Sequence, residues 1–277
     1  GLADALRPAV PGMAAAMLGL AAYRIGPDRG LLAPRALGRT AAAMLAGQLA
    51  LPMALAGLAA ATGWGGPVMA ALILMAAAPC IAGAPSLTAL AGGDPAPALR
   101  LLAVGVAALP LTVLPVFHLA PFLGDPSLVA AAALRLGLTI LLACGAGLAL
   151  RALTPQARLG AALGAADGLT VLAFLIMVVG LMAGAGPALA SGQAGAMAAL
   201  GAAFGANFGL QLLAWAMLRR AGAERPALTV AAGNRNIALF LIALPAAVTD
   251  PLAHFIAFYQ IPMFLTPMLV ARLMRRP

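Results

Sequence analysis

The chain is a succession of nine long apolar runs, at about 9–24, 41–62, 68–92, 98–119, 128–150, 161–185, 195–218, 226–247 and 251–271. Most hold about twenty residues, and at about 1.5 Å of rise per helical residue that length crosses a roughly 30 Å hydrocarbon layer. With 64% apolar and 8% charged residues, the chain lacks the polar surface to enclose such runs in water. The fold class expected is all-α: a polytopic membrane protein of nine transmembrane helices, with the lipid bilayer as its solvent.

The arginines say how the runs are threaded. All sixteen basic residues are Arg, against seven acids, a balance that in a soluble chain would suggest nucleic acid. Thirteen of them fall in Arg24–Arg39, Gly93–Arg100, Arg151–Arg158, Arg219–Arg225 and Arg272–Arg276, while the loops around Trp64, Asp125, Ala190 and Asp250 carry none. Basic loops stay in the cytoplasm, so the alternation places the C-terminus inside and, with nine spans, the N-terminus outside, in a bacterial inner membrane. The charge is topological, and no nucleic-acid partner is expected. The first run, Ala9–Tyr23, contains Pro11 and is followed by four arginines rather than a small-residue cleavage site, so it reads as a span and not a signal peptide. Cys80 and Cys144 lie inside apolar runs and are expected to pack rather than to pair or hold a metal. With no lysine for a phosphate loop, no HExxH and no nucleophile–base pair, neither an enzyme activity nor a cofactor is expected.

One run is interrupted by polar residues. Val230–Leu239 reads Val-Ala-Ala-Gly-Asn-Arg-Asn-Ile-Ala-Leu, and Arg235 stands ten residues past Arg225. As a helix that is about 15 Å, half of the hydrocarbon thickness, too deep for the guanidinium to reach either surface easily. A Gly beside two Asn residues is a poor continuous helix, so the eighth run is expected to break there, against protein or trapped water.

The third run is interrupted in a similar way, by Pro79-Cys-Ile-Ala-Gly-Ala-Pro85. Each interruption is followed by an Asp-Pro pair, Asp94-Pro95 and Asp250-Pro251, and then by a span with prolines five apart, Pro110 and Pro115, Pro262 and Pro267. Three coincidences in one order argue for duplication. By the charge topology the third and eighth spans run in opposite directions, so spans 1–4 and 6–9 form an inverted repeat. The fifth is then the partner of a helix that would precede residue 1. Two breaks at equivalent positions of inverted repeats are expected to meet at mid-membrane and form two crossed broken helices.

With these features the sequence resembles the bile acid:sodium symporter family in its nine-helix form, over nearly the whole chain. Met13–Leu20 with Asp28 resembles that family's first span. Ala78–Asp94 is similar to its Cys-Pro-Gly-Gly-Thr-Ala-Ser-Asn segment ending in Gly-Asp, and Ala231–Asn236 to its Glu-Val-Gly-Met-Gln-Asn crossover. The resemblance implies a core domain, about 39–122 and 193–277, and a panel domain, about 1–38 and 123–192. Substrate would bind in the crevice between them, and one would move against the other. The departures are specific: Ala231 and Arg235 stand where the family has its sodium-holding Glu and its crossover Gln. Ala84-Pro85 replaces a Ser-Asn pair and Gly105-Val106 a Ser and a Thr, so Gln48 and backbone carbonyls are all that is left of the sodium ligands that can be placed. Sodium is therefore not the expected partner; Arg235 would supply, as a fixed charge, what the bound cation supplies in relatives.

The function expected is secondary transport of a small organic anion by alternating access, without sodium, with protons as the partner if any ion is coupled. The alternatives are an efflux carrier of the same fold, of the auxin-efflux or arsenite-efflux type, or a sensor or scaffold that transports nothing. The candidate substrate-binding residues are Arg235, Asn234, Asn236, Gln48, Asn207 and Ser86; the candidate coupling residues are Gln48 and Asp167. Arg235 has a second reading, as a tie that donates to carbonyls freed near Ala82 and Pro85. Gln48 and Asn207 are either pocket lining or interhelical hydrogen bonds, and Ser86 either meets substrate or bonds back to its own helix. Asp167 is either a proton-coupling group or the partner of an arginine near the membrane face. His254 and Tyr259-Gln260 have a reading as residues of an external vestibule, against which a lone His near a span end is more often simply hydrated.

Overall fold

Seven helices among the described residues are long and apolar enough to cross a membrane. In the computed structural model, which describes residues 1–26, 34–120, 126–183 and 185–274, they are α1 (Leu2–Ile25), α2 (Ala36–Thr62), α5 (Ala96–Leu119), α6 (Leu128–Leu153), α7 (Gln156–Leu181), α8 (Ala194–Met217) and α11 (Ala246–Met274). Asp28, Asp125 and the arginines at 29, 275 and 276 lie outside the described residues. The described residues contain no strand, and the molecule is an all-helical, multi-pass membrane protein. Its lipid-facing surface is leucine-rich, with Leu134, Leu141, Leu142, Leu169 and Leu172 exposed on α6 and α7.

The third and eighth runs are not among the seven, because each is two short helices around a break. In the third, α3 (Pro67–Ala77) stops and α4 (Ala84–Leu90) follows. Pro79 has no N–H to continue the helix and its ring forces the preceding residue out of the helical region, which is where Ala78 lies, at φ −69° and ψ 149°. In the eighth, α9 (Arg225–Gly233) ends at Asn234, and a 3₁₀ turn at Ile237–Leu239 leads into α10 (Phe240–Ala243). Here the Asn234 amide donates to the Val230 carbonyl at 2.7 Å, competing with the backbone for helix acceptors. Pro245 then bends the chain into α11, with Leu244 extended before it.

The second run crosses as one helix but widens into a π turn at Leu45–Ala50. Pro52 cannot donate to the carbonyl four residues back, Gln48, and the ladder slips by one at that point. Small residues then let helices close on one another. On α6 a Cβ at Gly147 would land on the Gly19 carbonyl oxygen of α1, and a Cβ at Gly19 would stand 3.0 Å from the Ala143 oxygen. In this way α1 packs on α6 and α7, while α8 packs on α9 and α11, and α2 on α3 and α5. Near the starts of α2, α5 and α9, Glu224 accepts from Arg100 at 2.8 Å and pairs with Arg39 at 3.5 Å, and Arg225 lies 3.7 Å over the Trp215 ring.

Candidate functional site

The two breaks pair with each other. Cys80 and Arg235 form an isolated antiparallel bridge, flanked by Ile81 N–H donating to the Asn234 carbonyl at 2.9 Å and Asn236 N–H to the Pro79 carbonyl at 2.8 Å. Backbone groups that each helix frees by breaking are thus satisfied by the other, as an apolar surrounding requires.

This pairing brings the C-terminal ends of α3 and α9 together around the Arg235 side chain. Its Nη1 donates to the Ala78 carbonyl at 3.1 Å and its Nε to the Ala232 carbonyl at 3.0 Å, one acceptor from each helix end. Arg235 is 6% exposed, and among the described residues no carboxylate pairs with it. Its counter-charge is the negative end of two helices, the place where a cation is stabilised without an anion. The acceptors expected near Ala82 and Pro85 are not used, and the reason is electrostatic: those residues lead into α4, where helix N–H groups point outward and repel a cation. Gly47, in the π turn of α2, leaves room for the guanidinium, since a Cβ there would collide with Nη2.

Gln48, Asn207 and Asn234 lie behind the breaks and are not among the residues that line the cavity described below; Gln48 and Asn207 make the hydrogen bonds of their second reading. Gln48 Nε2 donates to the Gly105 carbonyl at 2.9 Å and to Thr112 Oγ1 at 3.1 Å; a Cβ on Gly105 would stand 2.8 Å from Gln48 Oε1 and 3.2 Å from Pro79 Cβ. Asn207 Nδ2 donates to the Gly233 carbonyl at 2.5 Å, and the Tyr259 hydroxyl donates to that same carbonyl. Gln211 Nε2 joins Asn207 Oδ1 at 2.6 Å and Thr266 Oγ1 at 3.0 Å, and Thr266 reaches Asn234 Oδ1 at 3.1 Å. Each amide is occupied in holding a break open at a set angle, so none is turned toward the cavity. Tyr259 belongs to this brace and is fully buried, not in a vestibule, and His254 stacks on Phe258 at 6.2 Å between ring centres.

In front of the breaks is a cavity of about 270 Å³, bounded by α1 and α7 on one side and by the broken helices and α11 on the other. Met17, Ile81, Leu87, Phe174, Met263 and Phe264 give it an apolar wall. Arg235, Asn236, Ser86 and Gln260 are polar points on that wall. The structure therefore brings Arg235, Asn236 and Ser86 together and adds Gln260, whose cavity position the sequence reading missed. Its neighbours Met263 and Phe264, three and four residues on, share its helix face, which was the available signal.

Arg24 also lines the cavity and pairs with Asp167 at 2.5 Å. Asp167 is 55% exposed, and the structure gives it Arg24 as a partner and no contact with the breaks. A second, smaller cavity of about 140 Å³ lies among Arg7, Pro11, Gly180, Leu241, Thr249 and Asp250, where Arg7 pairs with Asp250 at 2.8 Å. Cys80 is buried and Cys144 partly so, and both are free. Among the described residues no group of three or more His, Cys, Asp and Glu is placed to hold a metal ion. Known protein families and curated sequences were compared with the chain, and no family model and no curated protein matches it.

Proposed function

We propose that this chain is a secondary transporter of a small organic anion, working by alternating access without sodium. The observation that carries the reading is the pairing of two broken helices around Arg235 at the wall of a largely apolar cavity. Breaks of this kind are tolerated at membrane depth where they line a site, and an ionisable side chain held there is a functional group by default.

On this reading the chain has nine spans, seven unbroken and two broken, built as an inverted repeat of the bile acid:sodium symporter kind. Gln48 behind the first break and Asn207 behind the second support the repeat, each donating to backbone near the break from the second span of its half. Spans 1, 5 and 6 act as the panel and the rest as the core, with the cavity between them. The Arg-rich loops support a cytoplasmic C-terminus and an outside N-terminus in a bacterial inner membrane, and with that orientation the cavity faces inward, with Arg24 at its mouth. Arg235 does the electrostatic work of a bound cation, so coupling, where there is any, is to protons.

The test is uptake of a panel of radiolabelled organic acids into proteoliposomes of the purified chain, with and without an inward sodium gradient. Saturable uptake of at least one acid, unchanged by sodium and lost in Arg235→Ala, is expected. Sodium-driven uptake would overturn the tethered-cation reading, and flux of no acid in either orientation would favour a sensor or scaffold.

A further inference from the structure

The two cavities lie end to end along a single seam. On α1 the smaller cavity reaches Pro11 and the larger begins at Ala14; on α7 the same step is from Gly180 to Met177, and on α11 from Ile256 to Gln260. Each step is three or four residues, so one helical turn parts the two spaces on all three helices. That turn is filled: Val10, Met177 and Ile256 are at most 4% exposed, and a Cβ on Gly180 would stand 2.8 Å from Val10 Cγ2. The seam runs between spans 1 and 6 on one side and span 9 on the other, the division drawn above between panel and core. Five ion pairs are made among the described residues, and four stay within one of these halves: Gly1–Asp4 and Arg24–Asp167 in the panel, Arg39–Glu224 and Arg100–Glu224 in the core. The fifth, Arg7–Asp250 at 2.8 Å, joins one half to the other, and both its residues line the smaller cavity.

We infer that the smaller cavity is the outer end of one passage along this seam, and that the Arg7–Asp250 pair is the latch that holds it shut while the larger cavity is open. This rests on the transport reading, whose orientation puts Arg7 and Asp250 at the outer face, and adds to it the position of the outer gate. For substrate to pass, the filled turn at Val10, Met177 and Ile256 has to part. The start of α11 cannot draw away from α1 while the pair between them is made. An exposed pair suits that task. With side chains 54% and 61% exposed, it biases the closed form by no more than about fivefold, a bias that movement of one half against the other can overcome in every cycle. Breaking it leaves the buried apolar turn as the remaining barrier, so the outer end opens more often without losing its closed form.

The experiment follows a cysteine in the filled turn. Ile256 is six residues beyond Asp250, about 9 Å deeper by helix rise, whereas Thr249 is beside the pair. Ile256→Cys and Thr249→Cys, each with Cys144→Ala, are labelled from outside by a membrane-impermeant maleimide in intact bacteria expressing the chain. Asp250→Asn and Arg7→Gln are each expected to raise the Ile256→Cys rate by about two- to fivefold, with no further rise when combined. The reversed pair, Arg7→Asp with Asp250→Arg, should return the rate to that of the native pair, which a variant that merely misfolds would not do. In proteoliposomes, bridging Arg7→Cys to Asp250→Cys with a short bis-methanethiosulfonate should stop uptake of the organic-acid panel, and reduction should restore it. An Ile256→Cys rate unmoved by either single variant, or a rise confined to Thr249→Cys, overturns the latch. So does uptake through the bridged protein at the unbridged rate, and in each of these cases the transport reading stands. The expected labelling without flux of any acid in any variant would keep the latch and remove the transport reading instead.

Discussion

Replacing Arg235 by Ala isolates what the charge contributes at the junction of the breaks. Two hydrogen bonds from a charged donor, to Ala78 and Ala232, are lost, at about 1.5–3 kcal/mol each, so about 3–6 together. Against this, at the depth the sequence implies, removing the arginine relieves an insertion cost of about 2.5–3.5 kcal/mol. The difference runs from about zero to about 3.5 kcal/mol and centres on a destabilisation of about 1.5 kcal/mol, which at about 2–4 °C per kcal/mol for a chain of this class lowers the apparent melting temperature by about 3–6 °C. The carbonyls remain in place at the two helix ends, so a free cation can return to them. Millimolar guanidinium is expected to restore part of the lost melting temperature in Arg235→Ala and to do nothing for wild type. Arg235→Lys, whose single ammonium reaches one helix end better than two, should lie between them. The assay is thermal unfolding of detergent-purified protein followed by Trp64 and Trp215 fluorescence. If Arg235→Ala melts with wild type and ignores guanidinium, the charge does not hold the breaks together and the argument fails.

Gly233→Ala should cost more than about 3 kcal/mol, because its Cβ would strike the Asn207 carbonyl and stand 2.5 Å from Gln211 Cγ. Gly201→Ala, on the same packing partner α8 with nothing within 4 Å, should be neutral; equal melting temperatures for the two would refute the close-packing account. Asp250→Asn removes the Arg7 pair, but the two side chains are 54% and 61% exposed, so the loss should stay under about 1 kcal/mol and shrink in 0.5 M salt. Ser86→Cys should react with a membrane-permeant maleimide and be protected by a transported acid, whereas native Cys80, 1% exposed, should not react; labelling of Cys80 before unfolding would contradict the buried bridge. Gln48→Leu should lose about 1–3 kcal/mol by stranding the Gly105 carbonyl and Thr112, without changing the sodium independence of uptake.

How much was legible in the sequence follows from what kind of signal each feature leaves. Apolar length is a one-dimensional property, so an all-helical, multi-pass membrane protein could be read from it, and the breaks could be placed because Pro79, Gly233 and Asn234 act on their own backbone. The depth expected for Arg235 came from helix rise, and its burial agrees with an interior position. The acceptors it uses did not, since they depend on which helix ends converge, a property of two segments about 150 residues apart in the chain. The same limit explains Gln48, Asn207 and Asn234. A polar residue in an apolar run is known to need a partner, but whether that partner is a ligand or a neighbouring carbonyl is decided by rotation about the helix axis. Gln260 shows the reverse case, a residue read as peripheral that the bend at Pro245 and the start of α11 carry to the cavity wall.

A tethered cation has a consequence for energetics that a bound one does not. An ion drives a carrier by binding one conformation better than the other and by dissociating on the far side, so that its concentration difference enters the equilibrium. The Arg235 guanidinium, which bonds Ala78 and Ala232, is covalently part of the chain and cannot pass into either compartment, so no gradient can act through it. On the transport reading it keeps the structural part of an ion's role, neutralising two helix ends so that they can meet, and gives up the thermodynamic part. Unless protons enter elsewhere, the transport reading therefore requires substrate to equilibrate rather than accumulate. In proteoliposomes with a fixed internal volume, uptake should stop when internal and external acid concentrations are equal, and preloading with unlabelled acid should speed exchange without raising that limit. Accumulation above the external concentration under a pH gradient would show that a proton site exists apart from Arg235. Accumulation under a sodium gradient would show that a mobile ion still binds where the guanidinium is placed.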